Sequence, residues 1–159
     1  MTTLAHDLYL NTPVLNAIDD SNIKHIRQVI QQIEKTGKRK IGICGLSFKA
    51  GTDDMRNSPI VNVIEALHGK GFDVRIFDSN VSLSRLIGKN KSVITEKLPH
   101  LNNMLQDDLS MLGEWAEVLV VSYRDNVFKS ITVIPGQIII DLVRIEELES
   151  CDNYIGLCW

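Results

Sequence analysis

Lys40-Ile-Gly-Ile-Cys-Gly-Leu46 is joined by a polar loop to Ser58-Pro59-Ile-Val61, and these two runs indicate the class of fold. The first run is apolar and β-branched, as in a buried strand. A hydroxyl residue followed by proline is typical of a helix N-terminus, so we predict an N-cap at Ser58. Beyond that helix, Asp73-Val-Arg-Ile-Phe-Asp78 has the pattern of a second strand. We therefore predict a β-loop-α-β unit whose two strands are parallel.

The rest of the chain continues the alternation of strands and helices. Near-continuous apolar strands between helices indicate a mostly parallel sheet that is covered on both faces. We predict a doubly wound, Rossmann-like α/β fold. The further predicted elements are a helix at 81–87, a weak strand at 93–94, a helix at 103–115, a strand at 117–123, a short helix at 125–131, a strand at 137–142 and a last strand at 153–159.

A long amphipathic helix is predicted at 13–35, before this domain. Ile23, Ile26, Ile30 and Ile33 recur at steps of three and four, which places them on one face. Gly37 is a candidate C-cap. The predicted domain is complete without this helix, so we expect its apolar face to pack against another domain or a second subunit. Docking on its own sheet is the alternative.

Bulk composition excludes several classes of function. The 159 residues are 44% hydrophobic, which suits one ordinary domain with a buried core. A net charge of −3 gives no field that would hold nucleic acid. No stretch reaches the ~18 apolar residues needed to span a bilayer. The N-terminal residues lack the layout of a signal peptide, so we expect a cytoplasmic protein.

Cysteines and histidines suggest neither a metal site nor a nucleophile. Cys44, Cys151 and Cys158 are odd in number and lack C-x-x-C spacing. Cys44 lies within the first strand, where we expect a buried thiol that acts as a small hydrophobic side chain. The histidines have no partners at metal or triad spacing; they are His6, His25, His68 and His100.

The loop between the first strand and its helix is the candidate ligand site. It lacks the glycine spacing of a dinucleotide-binding turn and the Walker A sequence. Lys49 is suited to a phosphate or a sugar hydroxyl, Arg56 to a bidentate pyrophosphate contact, and Phe48 to the wall of a pocket. The alternative is an internally neutralised loop in which Asp53 and Asp54 pair with the cations and Thr52 bonds to the backbone. Spacing alone does not separate the two.

Residues 45–59 read GLSFKAGTDDMRNSP, which closely resembles the signature G-L-x-F-K-x-x-T-D-D-x-R-x-S-P of the UDP-glucose/GDP-mannose dehydrogenase family. The resemblance implies that residues 38–159 are a C-terminal nucleotide-sugar-binding domain and that residues 1–37 belong to a central dimerisation helix region. It also implies that Phe48 and Lys49 contact the nucleotide sugar. Arg56 would reach the NAD held by the other domain. Asn57 departs from the glutamate that the family usually has there.

Members of this family oxidise the C6 alcohol of a nucleotide sugar to a carboxylate, with NAD as the oxidant and a cysteine thiohemiacetal as intermediate. The segments at 46–52, 76–81, 97–100, 141–143 and 156–159 are most similar to members that act on GDP-mannose and form GDP-mannuronate. The resemblance therefore implies GDP-mannose as the ligand. UDP-glucose or another UDP-sugar is the alternative.

Two features of the family are absent from the sequence. No C-x-P-K-D segment with the catalytic cysteine occurs, and no glycine-rich NAD domain is present. We therefore expect a C-terminal portion without catalytic residues, inactive alone, with the N-terminal NAD domain as its partner and a homodimer formed through the first helix. A stand-alone nucleotide-binding or dimerisation module is a rival hypothesis. Arg144, just beyond the strand at 137–142, either contacts the ligand or caps a helix.

Overall fold

The computed structural model describes residues 13–52, 54–55, 58–81 and 100–157. Its helices are α1 (Pro13–Lys35), α2 (Pro59–Gly69), α3 (Leu101–Met104) and α4 (Leu109–Trp115). Its strands are β1 (Lys40–Cys44), β2 (Asp73–Phe77), β3 (Val118–Val121), β4 (Ile138–Asp141) and β5 (Tyr154–Gly156). Short 3₁₀ helices occupy Asn126–Ser130 and Glu146–Leu148.

The five strands form one sheet in the order β2-β1-β3-β4-β5, and all four pairings are parallel. The predicted α/β class and the parallel β-loop-α-β unit are confirmed. The chain moves outward from β1 to β2 and then returns past β1 to β3. The topological switch point therefore lies between β1 and β3, where open parallel sheets have a crevice at their carboxyl edge.

Alternating side chains of the central strands enter two cores, one on each face of the sheet. Val118 and Val120 join the core beneath α1 and α2, whereas Leu119 and Val121 join the core beneath α4 and the 3₁₀ helix Asn126–Ser130. Gly42 lets α4 lie close to the sheet, because a Cβ there would be 2.8 Å from Leu119 Cδ2 and 2.9 Å from Ala116 Cβ. The two cores fix the carboxyl edge on which the candidate site is built.

The long helix α1 has the predicted bounds, and its two halves have different surroundings. Val29 and Ile33 are buried in the core with α2, so the second half docks on its own domain. In the first half, Val14, Ile18 and Ile23 are 73%, 51% and 48% exposed. The alternative of docking on the domain is thus correct for the second half alone. Gly37, with φ of 68°, ends the helix as predicted, and its N–H donates to Glu34 O.

The prediction of a single helix at 103–115 is wrong, because the structure has two helices there, α3 and α4. The chain leaves helical geometry after Met104 because the N–H of Gln106 donates to Ile76 O at 2.8 Å, which attaches this segment to β2. A new helix then begins with Asp108 as its N-cap, accepting from Ser110 N at 2.7 Å. A carboxylate N-cap was the sequence signal for this second start.

Other boundaries differ by smaller amounts. Proline opens α2 and Ser58 is its N-cap residue, as predicted, but the Ser58 hydroxyl makes no capping hydrogen bond among the described residues. Several of the predicted strands are shorter by one or two residues at an end. The predicted helix at 81–87, apart from Val81, and the predicted strand at 93–94 lie outside the described residues.

Candidate functional site

The loop after β1, residues 45–58, is called the ligand loop below. It opens with a sharp turn at Gly45, whose φ of 102° lies in the left-handed region. A Cβ there would be 2.6 Å from Ser122 Oγ and 2.6 Å from Tyr123 Cε1, so a larger residue would overlap the end of β3. Gly45 N donates to Phe77 O at 2.8 Å, and Ser122 Oγ donates to Gly45 O at 2.8 Å. The start of the ligand loop is thus bound to the ends of both neighbouring strands.

Asp78, the first residue beyond β2, bonds to the same turn. Its side chain is buried, with a relative exposure of 6%. Oδ2 accepts from Leu46 N at 2.7 Å, from Ser47 N at 2.9 Å and from Ser47 Oγ at 3.1 Å. Oδ1 accepts from Asn80 N at 2.8 Å and Val81 N at 3.2 Å. Both carboxylate oxygens are therefore occupied by groups of the protein itself.

Beyond this turn the ligand loop bonds to itself. Phe48 N donates to Asp54 O at 2.8 Å, and Asp54 N donates to Thr52 Oγ1 at 3.1 Å. The side chains of Leu46 and Met55 are buried in the core that contains α2. The backbone bond expected of Thr52 is present, so one element of the internally bonded alternative is correct. Asp53 lies outside the described residues.

The predicted substrate residues lie on the outer side of this loop. Phe48 is 59% exposed and lines a mostly apolar cleft of about 190 Å³ between the loop, α1 and the start of α2. Lys49 is exposed and makes no ion pair among the described residues. Arg56, predicted to contact the cofactor, lies outside the described residues. Neighbouring residues of the small cleft include Ile26, Val29, Pro59, Ile60 and Val63.

A larger polar cleft of about 740 Å³ lies along the carboxyl edge of the sheet. Ala50 and Gly51 of the ligand loop form one wall, and residues that follow β2, β3 and β4 form the others. The ligand loop thus borders both clefts, with Phe48 at the small one and Gly51 at the large one. The other residues around the large cleft are Asn80, Arg124, Asp125, Asn126, Lys129, Arg144, Ile145, Glu146 and Glu147.

Among the described residues, three cations border the large cleft, and their partners differ. Lys129 Nζ lies 3.0 Å from Glu147 Oε1, and Arg144 Nε lies 3.0 Å from Glu149 Oε1. The bond to Glu149 raises the pKa of Arg144 above its ordinary value. Arg124 Nε instead donates to the backbone carbonyl of Val143 at 2.7 Å, and its terminal nitrogens have no hydrogen-bond partner among the described residues. Arg124 is therefore the cation of this cleft best placed to bind an added anion.

The sequence-based prediction of site residues did not include Arg124. The signal was present, because Arg124 follows the apolar strand at 117–123 just as Arg144 follows the strand at 137–142. A cation just beyond a parallel strand lies at the carboxyl edge where ligands bind, and this reasoning applies to Arg124 as it does to Arg144. What the pattern could not show is that Arg144 has a carboxylate partner within five residues, whereas Arg124 has a backbone carbonyl.

Asp141 at the end of β4 organises the loop that carries Arg144. Its carboxylate accepts from Val143 N at 2.9 Å, Ile145 N at 2.6 Å and Tyr154 OH at 3.0 Å. Burial raises the pKa of Tyr154, and the bond to Asp141 raises it further. Arg144 itself has φ of 59°, a left-handed conformation uncommon for a residue other than glycine. The carboxylate accounts for this tight turn by accepting from the amides on both sides of Arg144.

Tyr123 brings a buried hydroxyl to the same edge. The hydroxyl has no hydrogen-bond partner among the described residues, although Ser47, Ser79 and Asn80 lie near enough to oppose the rise in its pKa. Burial, and secondarily the charge of Asp78, raise that pKa to about 12. The ring packs against Phe128 with centroids 5.4 Å apart. The ring of Tyr123 therefore limits the space at Gly45 and is the surface against which the chain turns there.

The described residues do not form a dinucleotide site of the usual kind. In such sites an acidic side chain beyond the second strand bonds a ribose, but both oxygens of Asp78 are already bonded within the protein.

Burial raises the pKa of Cys44 to about 12, so this thiol stays protonated and is unsuited to nucleophilic attack. Within the described ranges, no cluster of three or more His, Cys, Asp or Glu side chains could hold a metal ion. No helix of those ranges is long and apolar enough to cross a bilayer.

Comparison with known proteins identifies the domain. The model of the "UDP-glucose/GDP-mannose dehydrogenase family, UDP binding domain" matches residues 42–147. GDP-mannose 6-dehydrogenase of Pseudomonas aeruginosa is 37% identical over 161 residues, which cover 100% of this chain and 37% of that protein. UDP-glucose 6-dehydrogenase of Rickettsia bellii is 27% identical over 163 residues, covering 94% of this chain and 36% of that protein.

Solved structures agree with these sequence comparisons. A ternary complex of GDP-mannose dehydrogenase from Pseudomonas aeruginosa superposes with a TM-score of 0.84 at 36% identity, covering 99% of this chain and 37% of that chain. A UDP-glucose dehydrogenase from Pyrobaculum islandicum, 22% identical, has the same fold with a TM-score of 0.78 and covers 99% of this chain and 35% of its own. The chain spans little more than a third of the length of these relatives.

Proposed function

Because this chain belongs to the UDP-glucose/GDP-mannose dehydrogenase family, we propose that it is the C-terminal nucleotide-sugar-binding portion of an NAD-dependent GDP-mannose 6-dehydrogenase. In this proposal residues 38–159 bind the nucleotide sugar and residues 1–37 belong to a dimerisation helix. The full-length enzyme would oxidise GDP-mannose to GDP-mannuronate. By itself, this chain would bind the ligand without turning it over.

The observation that carries the proposal is the position of the ligand loop. The loop leaves β1 next to the switch point, at the carboxyl edge where open parallel sheets bind their ligands. Its backbone is bonded to the ends of β2 and β3, while Phe48 and Lys49 are left exposed on its outer side. A loop built in this way presents a ring and a cation to a ligand at little further loss of conformational entropy.

We assign the nucleotide sugar to the surface that this loop borders. Phe48 offers an apolar face at the small cleft, and Lys49 offers an ammonium group without an ion-pair partner among the described residues. The large cleft offers the terminal nitrogens of Arg124 for the negatively charged diphosphate. The bound sugar would then reach toward the partner domain, since ligands of this size lie in clefts between domains.

The cofactor in this proposal is NAD, held mainly by a separate N-terminal domain. NAD supplies the hydride acceptor for each oxidation step. The residue of this chain proposed to reach it is Arg56, on the implication of the family signature. No cysteine of this chain lies in a C-x-P-K-D segment, so the thiolate that forms the covalent intermediate would also come from the partner domain.

GDP-mannose is preferred over UDP-sugars because of the pattern of identity. The GDP-mannose 6-dehydrogenases of two Pseudomonas species are 37% identical to this chain, whereas a UDP-glucose 6-dehydrogenase is 27% identical. The matching family model, however, is described as a UDP binding domain. UDP-sugar binding is therefore the second candidate.

Isothermal titration calorimetry with GDP-mannose, GDP, UDP-glucose and NAD tests the proposal. We expect GDP-mannose and GDP to bind more tightly than UDP-glucose and NAD. Tighter binding of UDP-glucose would move the assignment to UDP-sugar dehydrogenases. Turnover of GDP-mannose with NAD by this chain alone would overturn the proposal of inactivity, and binding of none of the four ligands would overturn the binding function itself.

The proposed homodimer would form through the first half of α1. Val14, Ile18 and Ile23 expose apolar side chains there, in contrast to the buried Val29 and Ile33. Sedimentation equilibrium of this chain should show a dimer that weakens on replacing Ile18 by Ser. A strict monomer at high concentration would contradict the dimer, and a dimer without any nucleotide binding would favour the stand-alone dimerisation module.

A further inference from the structure

We propose that Asp78 is the positioning residue of the ligand loop: its carboxylate fixes the backbone from which Phe48 and Lys49 project. The identity of the ligand in this inference rests on the proposed function. That Asp78 fixes the loop backbone rests only on hydrogen bonds within the chain. Asp78 has no hydrogen bond or ion pair with either of those two side chains in the described structure. It acts through the backbone of the two residues that precede Phe48.

The carboxylate of Asp78 accepts hydrogen bonds from two segments of the chain. Three donors from the ligand loop, Leu46 N, Ser47 N and Ser47 Oγ, converge on Oδ2 within 2.7 to 3.1 Å. Two donors from the turn after β2, Asn80 N and Val81 N, converge on Oδ1. Hydrogen bonds to an ionised carboxylate are roughly twice as strong as neutral ones. One side chain therefore joins the loop to the neighbouring strand and orients two consecutive amides of that loop.

The hydroxyl of Ser47 continues this arrangement toward Lys49. Ser47 Oγ lies 3.1 Å from Asp78 Oδ2 and 3.1 Å from the carbonyl oxygen of Lys49. A hydroxyl has one proton, so it donates to one of these acceptors at a time. The side chain of Ser47 nevertheless places the Lys49 backbone within hydrogen-bond distance of the group that bonds Asp78. Two contacts through Ser47 therefore connect the Asp78 carboxylate with the backbone of Lys49.

The position of Asp78 in the fold gives the inference its functional sense. A carboxylate beyond the second strand bonds the ribose hydroxyls of a dinucleotide in the usual Rossmann arrangement. Here the same topological position carries a carboxylate, but its acceptor sites are directed at the backbone of the ligand loop. Asp78 thereby fixes the start of the ligand loop in a chain that lacks the glycine-rich phosphate turn.

Replacing Asp78 by Asn tests this role without changing the side chain's size. An amide keeps one acceptor oxygen and substitutes an NH₂ group for the other. Whichever way the amide is oriented, one set of backbone N–H groups then faces a donor instead of an acceptor. In either orientation the amides of Leu46 and Ser47 lose a charged acceptor, so we expect their hydrogen exchange to accelerate, by at least about tenfold where the NH₂ group faces them.

The matched control is Gln137→Leu, at the opposite edge of the sheet. Gln137 is buried just before β4, and its Nε2 donates to Gly113 O at 2.7 Å and Ala116 O at 2.6 Å. This variant also removes buried hydrogen bonds and lowers stability, but it is remote from the ligand loop. We expect it to leave the exchange of Leu46 and Ser47 within about twofold of wild type after correction for the change in global stability.

Affinity for GDP-mannose is the second readout. Asp78→Asn should lower it by at least about tenfold, since the loop must then be ordered on binding, whereas Gln137→Leu should stay within about twofold. If Asp78→Asn does not fold, Ser47→Ala is measured instead; it removes one of the three donors to Oδ2 and should give a smaller change in the same direction at both readouts.

The outcomes separate this inference from the proposed function. Unchanged exchange of the Leu46 and Ser47 amides in folded Asp78→Asn, or in Ser47→Ala where the first variant does not fold, would overturn the positioning role. The positioning role would also be overturned if Asp78→Asn and Gln137→Leu lowered Tm equally and Asp78→Asn lost no more affinity for GDP-mannose than Gln137→Leu. If the wild-type chain binds no nucleotide sugar, the proposed function fails, and the exchange measurement alone then decides whether Asp78 fixes the loop.

Discussion

Arg124 and Val143 are joined by a hydrogen bond of 2.7 Å, in which the guanidinium Nε donates to the backbone carbonyl. The bond links the segment after β3 to the segment after β4, and Arg124 lines the large cleft. It restrains the guanidinium while leaving the terminal nitrogens without partners among the described residues. A restrained planar fork of this kind is suited to a diphosphate.

Arg124→Ala is therefore expected to weaken the binding of GDP-mannose by about tenfold, the effect of losing one hydrogen bond to a charged group. Calorimetry measures the affinity. Arg39→Ala is the control, because Arg39 lies at the amino edge of the sheet over the ring of Phe72 and its loss changes the net charge equally. Equal affinity losses in both variants would reduce the effect to net charge and contradict a local contact.

Gly45→Ala is expected to destabilise the fold by about 2–4 kcal/mol, because a Cβ would meet the ring of Tyr123 in addition to the strain of a positive φ. Gly51→Ala is the comparison: Gly51 also has a positive φ, of 76°, but no atom lies within 4 Å of the position that a Cβ would occupy there. The latter should cost about 1 kcal/mol. Thermal unfolding measures both, at about 2–4 °C of Tm per kcal/mol. Equal Tm losses would mean that Tyr123 moves aside freely.

Ile33→Ala should lower the free energy of unfolding by about 2–5 kcal/mol, since Ile33 is fully buried between α1 and the domain. Ile18→Ala, at an exposed position on the same helix, should change it by less than about 0.5 kcal/mol at protein concentrations too low for self-association. Urea unfolding followed by circular dichroism measures both. A small effect at Ile33 would show that the second half of α1 does not dock on its own domain.

Cys44 should resist alkylation in the native protein at pH 8, whereas Cys151 should react. The Cys44 thiol is buried and its pKa is raised to about 12, so little thiolate forms; Cys151 is half-buried. Iodoacetamide labelling followed by peptide mass spectrometry resolves the two sites, and labelling in 6 M guanidinium chloride serves as the reference for full exposure. Rapid native labelling of Cys44 would contradict its place in the core.

Glu117 should make stability depend on acid pH. Its Oε2 accepts from Arg39 N at 3.0 Å and Lys40 N at 3.1 Å, and these two bonds hold the pKa of Glu117 below its ordinary value of 4.5. A pKa that is lower in the folded state contributes stability above the unfolded value and loses it as pH falls through the folded value. Glu117→Gln should therefore be less stable than wild type at pH 7, and the gap should narrow below about pH 4.5. Urea unfolding at several pH values measures the gap, and a gap independent of pH would contradict the assignment.

Local pattern was sufficient for the central part of the fold. Apolar runs, proline at Pro59 and glycine at Gly37 mark where strands and helices begin and end, because these signals depend on backbone geometry and on burial of one face. The right-handed connection then makes β1 and β2 parallel. Phe48 and Lys49 were predicted from the loop signature, and their proposed ligand contacts stay a prediction, as does the role of Arg56.

Apolar patterns and the loop signature were enough to predict the order and type of most elements, the parallel sheet and the family. Tertiary contacts decide which of several similar side chains border the ligand loop and the large cleft. Asp78 and Asp141 each accept hydrogen bonds from buried backbone amides. Arg124 donates to the carbonyl of Val143, whereas Arg144 donates to the carboxylate of Glu149. The break before α4 likewise depends on a bond to Ile76, which is distant in sequence. Hydrogen-bond partners brought together from separate strands leave no periodic trace in the chain, so they become visible only once the sheet has placed them.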